Sequence, residues 1–142
     1  MIDSPSSQAQ IARSYFSAFD GRDPEVIAGY VTNDFINDHT AALGSGCVGR
    51  DEYRSRLPGF LDSMPELHYE IESLVADGDD VAVFYTMTGR FQGDAPFAVR
   101  GAQRLQIRDG LVASRTDYWD SAGFLLQVDV GAAATLRGLG IG

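Results

Sequence analysis

The chain has 142 residues, 44% apolar, 22% charged and 11% aromatic, with 20 acidic residues against 11 arginines, no lysine, and a formal charge of -9. At that length one soluble domain buries roughly two thirds of its unfolded surface, enough for a core and an internal pocket without staples. Cys47 is the single cysteine, which excludes a disulfide framework and cysteine-based zinc sites, and no metal cage is visible in the sequence. The acidic balance repels phosphate backbones and anionic membranes, so neither nucleic acid nor a membrane surface is an expected partner. The segment Met1 to Gln10 is polar and lacks the basic and apolar parts of a signal peptide, so cytoplasmic residence is the expectation.

Ser6 or Ser7 can cap a first helix, in which Ile11, Ala12, Tyr15, Phe16 and Phe19 recur at helical spacing up to Asp20-Gly21. Asp23-Pro24 reads as an N-cap with proline at the first helical position, and Val26, Ile27, Tyr30 and Val31 as the buried stripe of a short second helix. Phe35 to His39 looks extended and is followed by a loop with Gly44, Gly46 and Gly49. A third helix starts near Arg50 and buries Tyr53, Leu57, Phe60, Leu61 and Met64; Pro58 should kink or shorten it, and Pro65 closes it.

From Leu67 the period becomes two. Leu67 to Glu72, Val81 to Phe91, Phe97 to Arg108 and Leu111 to Asp120 read as strands, with turns at Asp77-Gly78-Asp79-Asp80 and Asp109-Gly110. Helices followed by a run of mainly antiparallel strands indicate an α+β fold, in which a curled sheet wrapped by helices leaves a cavity. Residues 1–142 are read as one domain with a Gly/Ala-rich tail, 131–142, expected to pack on something. On one strand Arg100, Arg104 and Arg108 share the outward face, and acidic partners across a homodimer interface are expected for them.

On the last strand Arg115, Asp117 and Trp119 share a face, and the sole tryptophan argues that this face looks inward. A carboxylate there must be ion-paired, hydrogen-bonded or raised in pKa by desolvation; the last makes a general acid or base, and Arg115 is the obvious ion-pair partner. His39 lies on the side of Phe35 and Asn37 and is the second candidate for proton transfer, while His68 reads as a solvated residue. Gln103 is the strongly polar residue on an otherwise apolar strand face, and a ligand carbonyl or hydroxyl could partner its amide. Tyr15, Tyr30, Tyr53, Tyr69 and Tyr85 lie on core-facing stripes, more hydroxyls than a purely structural core needs.

With this order of elements, Tyr15-Phe16-Ser17-Ala18-Phe19, Asn37-Asp38-His39, Asp109-Gly110-Leu111-Val112 and Asp117-Tyr118-Trp119-Asp120 together resemble the nuclear transport factor 2-like superfamily, and within it the SnoaL-like group. The resemblance implies a curved sheet wrapped by three N-terminal helices into a conical pocket, often in a homodimer. Against the steroid isomerases of this fold, Tyr15 matches the oxyanion tyrosine, His39 falls at the base and Gln103 at the second donor. Limonene-epoxide hydrolase-like enzymes carry a segment similar to Arg115–Asp120, in which Asp117 would match their final catalytic acid, but Tyr85 and Met87 replace their middle-strand charged pair. Polyketide cyclases of the SnoaL type use a pocket acid/base, for which Asp117 is the candidate. The expectation is thus a cofactor-independent acid/base enzyme for an apolar or aromatic oxygenated small molecule. Asp117 and His39 would be catalytic, with Tyr15, Asn37, Tyr53, Tyr85, Met87, Gln103, Arg115 and Trp119 binding substrate. The alternatives are a non-catalytic binding or dimerisation module and, more remotely, an epoxide hydrolase.

Overall fold

A computed structural model describes residues 6–142. Helix α1 (Ser7–Ala18) is capped by the Ser6 side chain, which accepts from the Ala9 N–H, and it buries Ala9, Ala12, Tyr15 and Phe16. A single 3-10 turn, Phe19–Gly21, leads to the short α2 (Pro24–Ala28), capped by Asp23 with proline in its first turn. The expected second-helix stripe is only partly observed: Ile27 is buried but Val26 is exposed, and Val31 already belongs to strand β1 (Val31–His39). A β-branched residue that can pair in a sheet gains more there than in a frayed last turn.

The two-residue β2 (Cys47–Val48) precedes α3 (Arg50–Ser63), whose buried face is Tyr53, Leu57 and Leu61. Pro58 lies inside α3 without shortening it. It is on the exposed side, where the backbone carbonyl it leaves unpaired meets solvent. Strands β3 (His68–Asp77), β4 (Asp80–Phe91), β5 (Ala95–Arg108) and β6 (Leu111–Trp119) complete a six-stranded sheet in the order β2-β1-β6-β5-β4-β3. Every neighbouring pair is antiparallel except β1 and β6, which run parallel. The β5–β6 hairpin turns at Asp109 and Gly110, both at positive φ, as the Asp-Gly pair predicts.

Two more helices, beyond the three expected from the sequence, follow: α4 (Ser121–Val128) and α5 (Val130–Gly138). Both start on an aspartate cap: Asp120 accepts from Gly123 N–H, and Asp129 from Ala132 N–H. Beyond the end of β6, the exposed edge of β5 is met by Gln127 of α4, whose amide accepts from the Ala98 N–H at 2.8 Å and donates to the Ala98 carbonyl at 3.0 Å. A side-chain amide thereby stands in for the missing strand, and Phe124, Leu125 and Val128 of α4 wall the interior cavity. No helix among the described residues is long and apolar enough to cross a membrane.

The outward arginines find their acids within the chain. Arg100 pairs with Glu72, Arg104 with Asp80 and Arg108 with Asp34. The expectation that these cations wait for a partner subunit is therefore corrected: β5 already sits between acid-bearing strands, and a dimer is not needed to neutralise it.

Candidate functional site

On the concave face the strand register gathers the polar inward residues into one block. Cys47 stands opposite Asn37, which stands opposite Arg115; on the next inward rung His39 stands opposite Asp117, which stands opposite Gln103. Around this block the sheet presents Val81, Val83, Tyr85, Met87, Val99 and Leu105, all buried. Helices α1, α3 and α4 lie over the sheet, leaving a cavity of about 600 Å³.

Eight of the ten residues singled out in the sequence line this cavity: Asn37, His39, Tyr53, Tyr85, Met87, Arg115, Asp117 and Trp119. Tyr15 and Gln103 are buried but lie behind the wall rather than on it. Phe60, Tyr69, Phe91 and Phe124 also line the cavity, although the sequence does not mark them as binding residues. The helical spacing of Phe124, Leu125 and Val128 behind an Asp120 cap is the available signal for that last wall.

Of the three fates open to Asp117, the structure shows the ion pair. Arg115 Nε lies 3.0 and 3.1 Å from the two carboxylate oxygens and Nη2 lies 2.9 Å from Oδ1, with both side chains almost wholly buried. Burial alone would push the Asp117 carboxyl up, but the guanidinium and His39 outweigh it and hold the group below the usual carboxylate range. Asp117 therefore stays ionised at neutral pH and is not a proton donor there. Burial likewise opposes charge on Arg115, and Asp117 more than restores it.

His39 sits between two fixed groups. Its Nδ1 lies 3.7 Å from Asp117 Oδ2, and its Nε2 accepts a 2.9 Å hydrogen bond from the Trp119 indole N–H. An indole N–H only donates, so Nε2 carries the lone pair and the ring proton is on Nδ1, facing the carboxylate. The Asp117 carboxylate raises the His39 pKa above its ordinary value, with partial burial opposing it. The loop between β1 and β2 fits closely over this ring. Gly44 has φ +91°, and a Cβ there would fall 2.5 Å from His39 Nε2. Gly101 plays a similar part beneath Tyr85 and Trp119, since a Cβ would meet the Tyr85 hydroxyl at 2.6 Å.

The network continues from Arg115. Its Nη1 donates to the Tyr15 hydroxyl at 2.8 Å, and that oxygen lies 2.5 Å from the Tyr53 hydroxyl. Burial pushes the Tyr53 and Tyr85 hydroxyls well up and Tyr69 to about 12, so all three are neutral donors at neutral pH. Cys47 is also raised by burial and stays a thiol. The arrangement offers one histidine proton carrier, a buried ion pair behind it, neutral hydroxyl donors, and largely apolar walls. No group of three metal-ligating side chains occurs among the described residues.

Comparison with known proteins agrees with this architecture. A protein from Catenulispora acidiphila with a ketosteroid isomerase-like fold, solved with trimethylamine, superposes with a TM-score of 0.79 at 23% identity, covering 87% of this chain and 95% of that one. A SnoaL-like polyketide cyclase from Shewanella denitrificans, so described provisionally, gives 0.78 at 17% identity over 87% and 97% of the two chains. TerC, co-crystallised with polyporic acid, gives 0.74 at 20% identity over 86% and 98%. No curated protein matches the sequence significantly. At such identities the structures show the shared cone alone. The family itself is shown by the model of the SnoaL-like domain, which matches residues 12–115, from α1 into β6. The fold and this match agree in placing the chain in the SnoaL-like domain family.

Proposed function

We propose that the protein is a cytoplasmic, cofactor-independent acid/base enzyme acting on an apolar oxygenated small molecule, in the manner of a polyketide cyclase or isomerase. The observation that carries this reading is His39, backed by the Asp117–Arg115 pair and opening onto an otherwise apolar cavity. Neighbours of the same fold bind small molecules, trimethylamine in one and polyporic acid in another. The roles expected from sequence are exchanged. His39 takes the proton at Nε2, and Asp117, held as an anion, stabilises the imidazolium that forms. Trp119 must release Nε2 for this, and its freed N–H then donates to a ligand oxygen. Asn37, whose carboxamide oxygen has no partner among the described residues, orients the ligand beside it. A charged pair for activating water is lacking on β4, where Tyr85 and Met87 face the cavity, so epoxide hydrolysis is disfavoured.

Solvent-deuterium exchange into a panel of aryl ketones and β-diketones, followed by NMR, tests the assignment even though the natural substrate is unidentified. Wild type should exchange the carbon-bound proton beside the carbonyl, and His39→Gln should lose about 10²- to 10⁴-fold of that rate. Binding without exchange would favour the second reading, a non-catalytic binding module. That reading is supported by the ion pair itself, which is already satisfied internally. A homodimer through the outer sheet face is part of the proposal. It is supported by exposed Phe84 and Tyr118, which flank Ala102 on one rung, and a sedimentation experiment showing a monomer at micromolar concentration would remove it.

A further inference from the structure

The hydrogen-bond chain Arg115–Tyr15–Tyr53 has a direction that its donors and acceptors impose. A guanidinium has no acceptor, so Arg115 Nη1 must donate to the Tyr15 hydroxyl. Tyr15 is fully buried, and its hydroxyl has two partners, Arg115 and Tyr53. If Tyr53 donated to Tyr15, the Tyr15 hydrogen would be buried without an acceptor, a cost comparable to a lost hydrogen bond. The Tyr15 hydrogen is therefore given to the Tyr53 oxygen. That leaves the Tyr53 hydrogen unspent, on a side chain that lines the cavity while Tyr15 does not.

We infer that Tyr53 is the ligand-facing oxyanion donor of this protein, and that Tyr15 is a positioning residue that relays the Arg115 charge to it. The inference rests on the reading of the cavity as a small-molecule site and reassigns the donor from Tyr15, where the resemblance to steroid isomerases placed it. Each hydroxyl in the chain is polarised by the donor behind it, and a charge at the head strengthens the last bond. The ligand class is set by what such a donor recognises: an oxygen that accepts and gains negative charge, as in an enolate or a phenolate. Arg115 also lines the cavity but is already paired with Asp117, so its charge acts on Tyr53 through the Tyr15 hydroxyl rather than as a free counter-ion.

Two probes of equal ring size test this, 4-nitrophenol and nitrobenzene, in equilibrium titrations of wild type, Tyr53→Phe and Tyr15→Phe. Removing a hydrogen bond to a charged oxygen should weaken 4-nitrophenol about 10- to 100-fold in Tyr53→Phe and leave nitrobenzene within about twofold. Tyr15→Phe should cost less, a few-fold, and at fixed pH should lower the phenolate fraction of the bound probe, read from its absorption band. A loss in Tyr15→Phe equal to or larger than that in Tyr53→Phe would overturn the direction of the relay while leaving the pocket reading intact. Failure of both probes to bind wild type would overturn the donor assignment and the pocket together. Loss of exchange in His39→Gln bears on the acid/base reading alone. If Tyr53→Phe does not fold, 3-fluorotyrosine placed at position 53 keeps the shape and makes a stronger donor, so 4-nitrophenol should bind more tightly; unchanged or weaker binding would count against the assignment.

Discussion

The two faces of the central sheet use the same chemistry, an arginine beside a carboxylate, to opposite ends. On the convex face Arg100–Glu72, Arg104–Asp80 and Arg108–Asp34 are exposed, and water and salt screen them. On the concave face Arg115–Asp117 is almost wholly buried, where two charges survive only because each satisfies the other. The lesson is that the net charge of -9 belongs to the outside, while the site depends on a single neutral pair whose members cannot be separated. That pair fixes His39 on one side and the tyrosine relay on the other.

The sharpest way to break the comparison is to remove one partner from each face. Asp117→Asn leaves the Arg115 cation buried without a counter-charge and should destabilise the fold by about 3–5 kcal/mol in a denaturant titration. Its carboxyl is held below the usual range in the folded state, so its contribution is present at neutral pH and fades as pH falls below about 4. The variant should therefore lose its stability advantage at pH 7 and show a flatter acid limb. A cost no larger than that of an outer pair would show that the interior is wetter than its packing implies.

Gly44→Ala tests the next level, the fit of the loop over His39. The residue combines a left-handed backbone with a Cβ position 2.5 Å from the imidazole, so alanine must strain the loop or move the ring. A stability loss of about 1–3 kcal/mol is expected, with a larger proportional loss of His39-dependent exchange activity. Thermal melts and the deuterium-exchange assay separate the two effects.

A third measurement reads His39 itself by NMR titration. Its midpoint should lie above the ordinary 6.5, because the carboxylate beside Nδ1 favours the charged ring. A raised folded pKa contributes stability fully below about 6.5, and that contribution is lost as pH rises through the folded midpoint. Asp117→Asn should lower the midpoint. Trp119→Phe should raise it further, because the indole donor that needs the Nε2 lone pair is gone. If Asp117→Asn left the midpoint unmoved, the ring would not sense the carboxylate.

The sequence made the concave half of this comparison legible through one residue. The sole tryptophan, Trp119, had to face inward, and alternation then brought Asp117 and Arg115 with it; the same alternation put Phe35, Asn37 and His39 on one side. Local periodicity does not show where a side chain ends. Tyr15 and Tyr53 lie on equally apolar stripes, and only tertiary packing, of α1 against β6 and of α3 against β1 and β2, decides that Tyr15 meets Arg115 behind the wall while Tyr53 reaches the cavity. Gln103 alternates inward as expected, yet it is covered from the cavity and its amide oxygen has no partner among the described residues. Helix α5 is obscured by its glycines and alanines, residues that read as part of a Gly/Ala-rich tail until the Asp129 cap is weighed.

The smallest expected effect bears on the convex face and on assembly. Arg104→Gln removes an exposed pair with Asp80 and should change stability by about 0–1 kcal/mol, a difference that shrinks further in high salt. Because this arginine already has an acid within its own chain, the substitution should also leave the sedimentation coefficient unchanged. Tyr118→Arg, by contrast, places a new charge beside exposed Phe84 and Ala102, at the apolar part of the face proposed to pair. If the sheet faces associate through this apolar rung, Tyr118→Arg should dissociate the dimer and Arg104→Gln should not. The reverse order would mean that charges rather than apolar contact hold two copies together, and the intrachain pairs would then have to open on association.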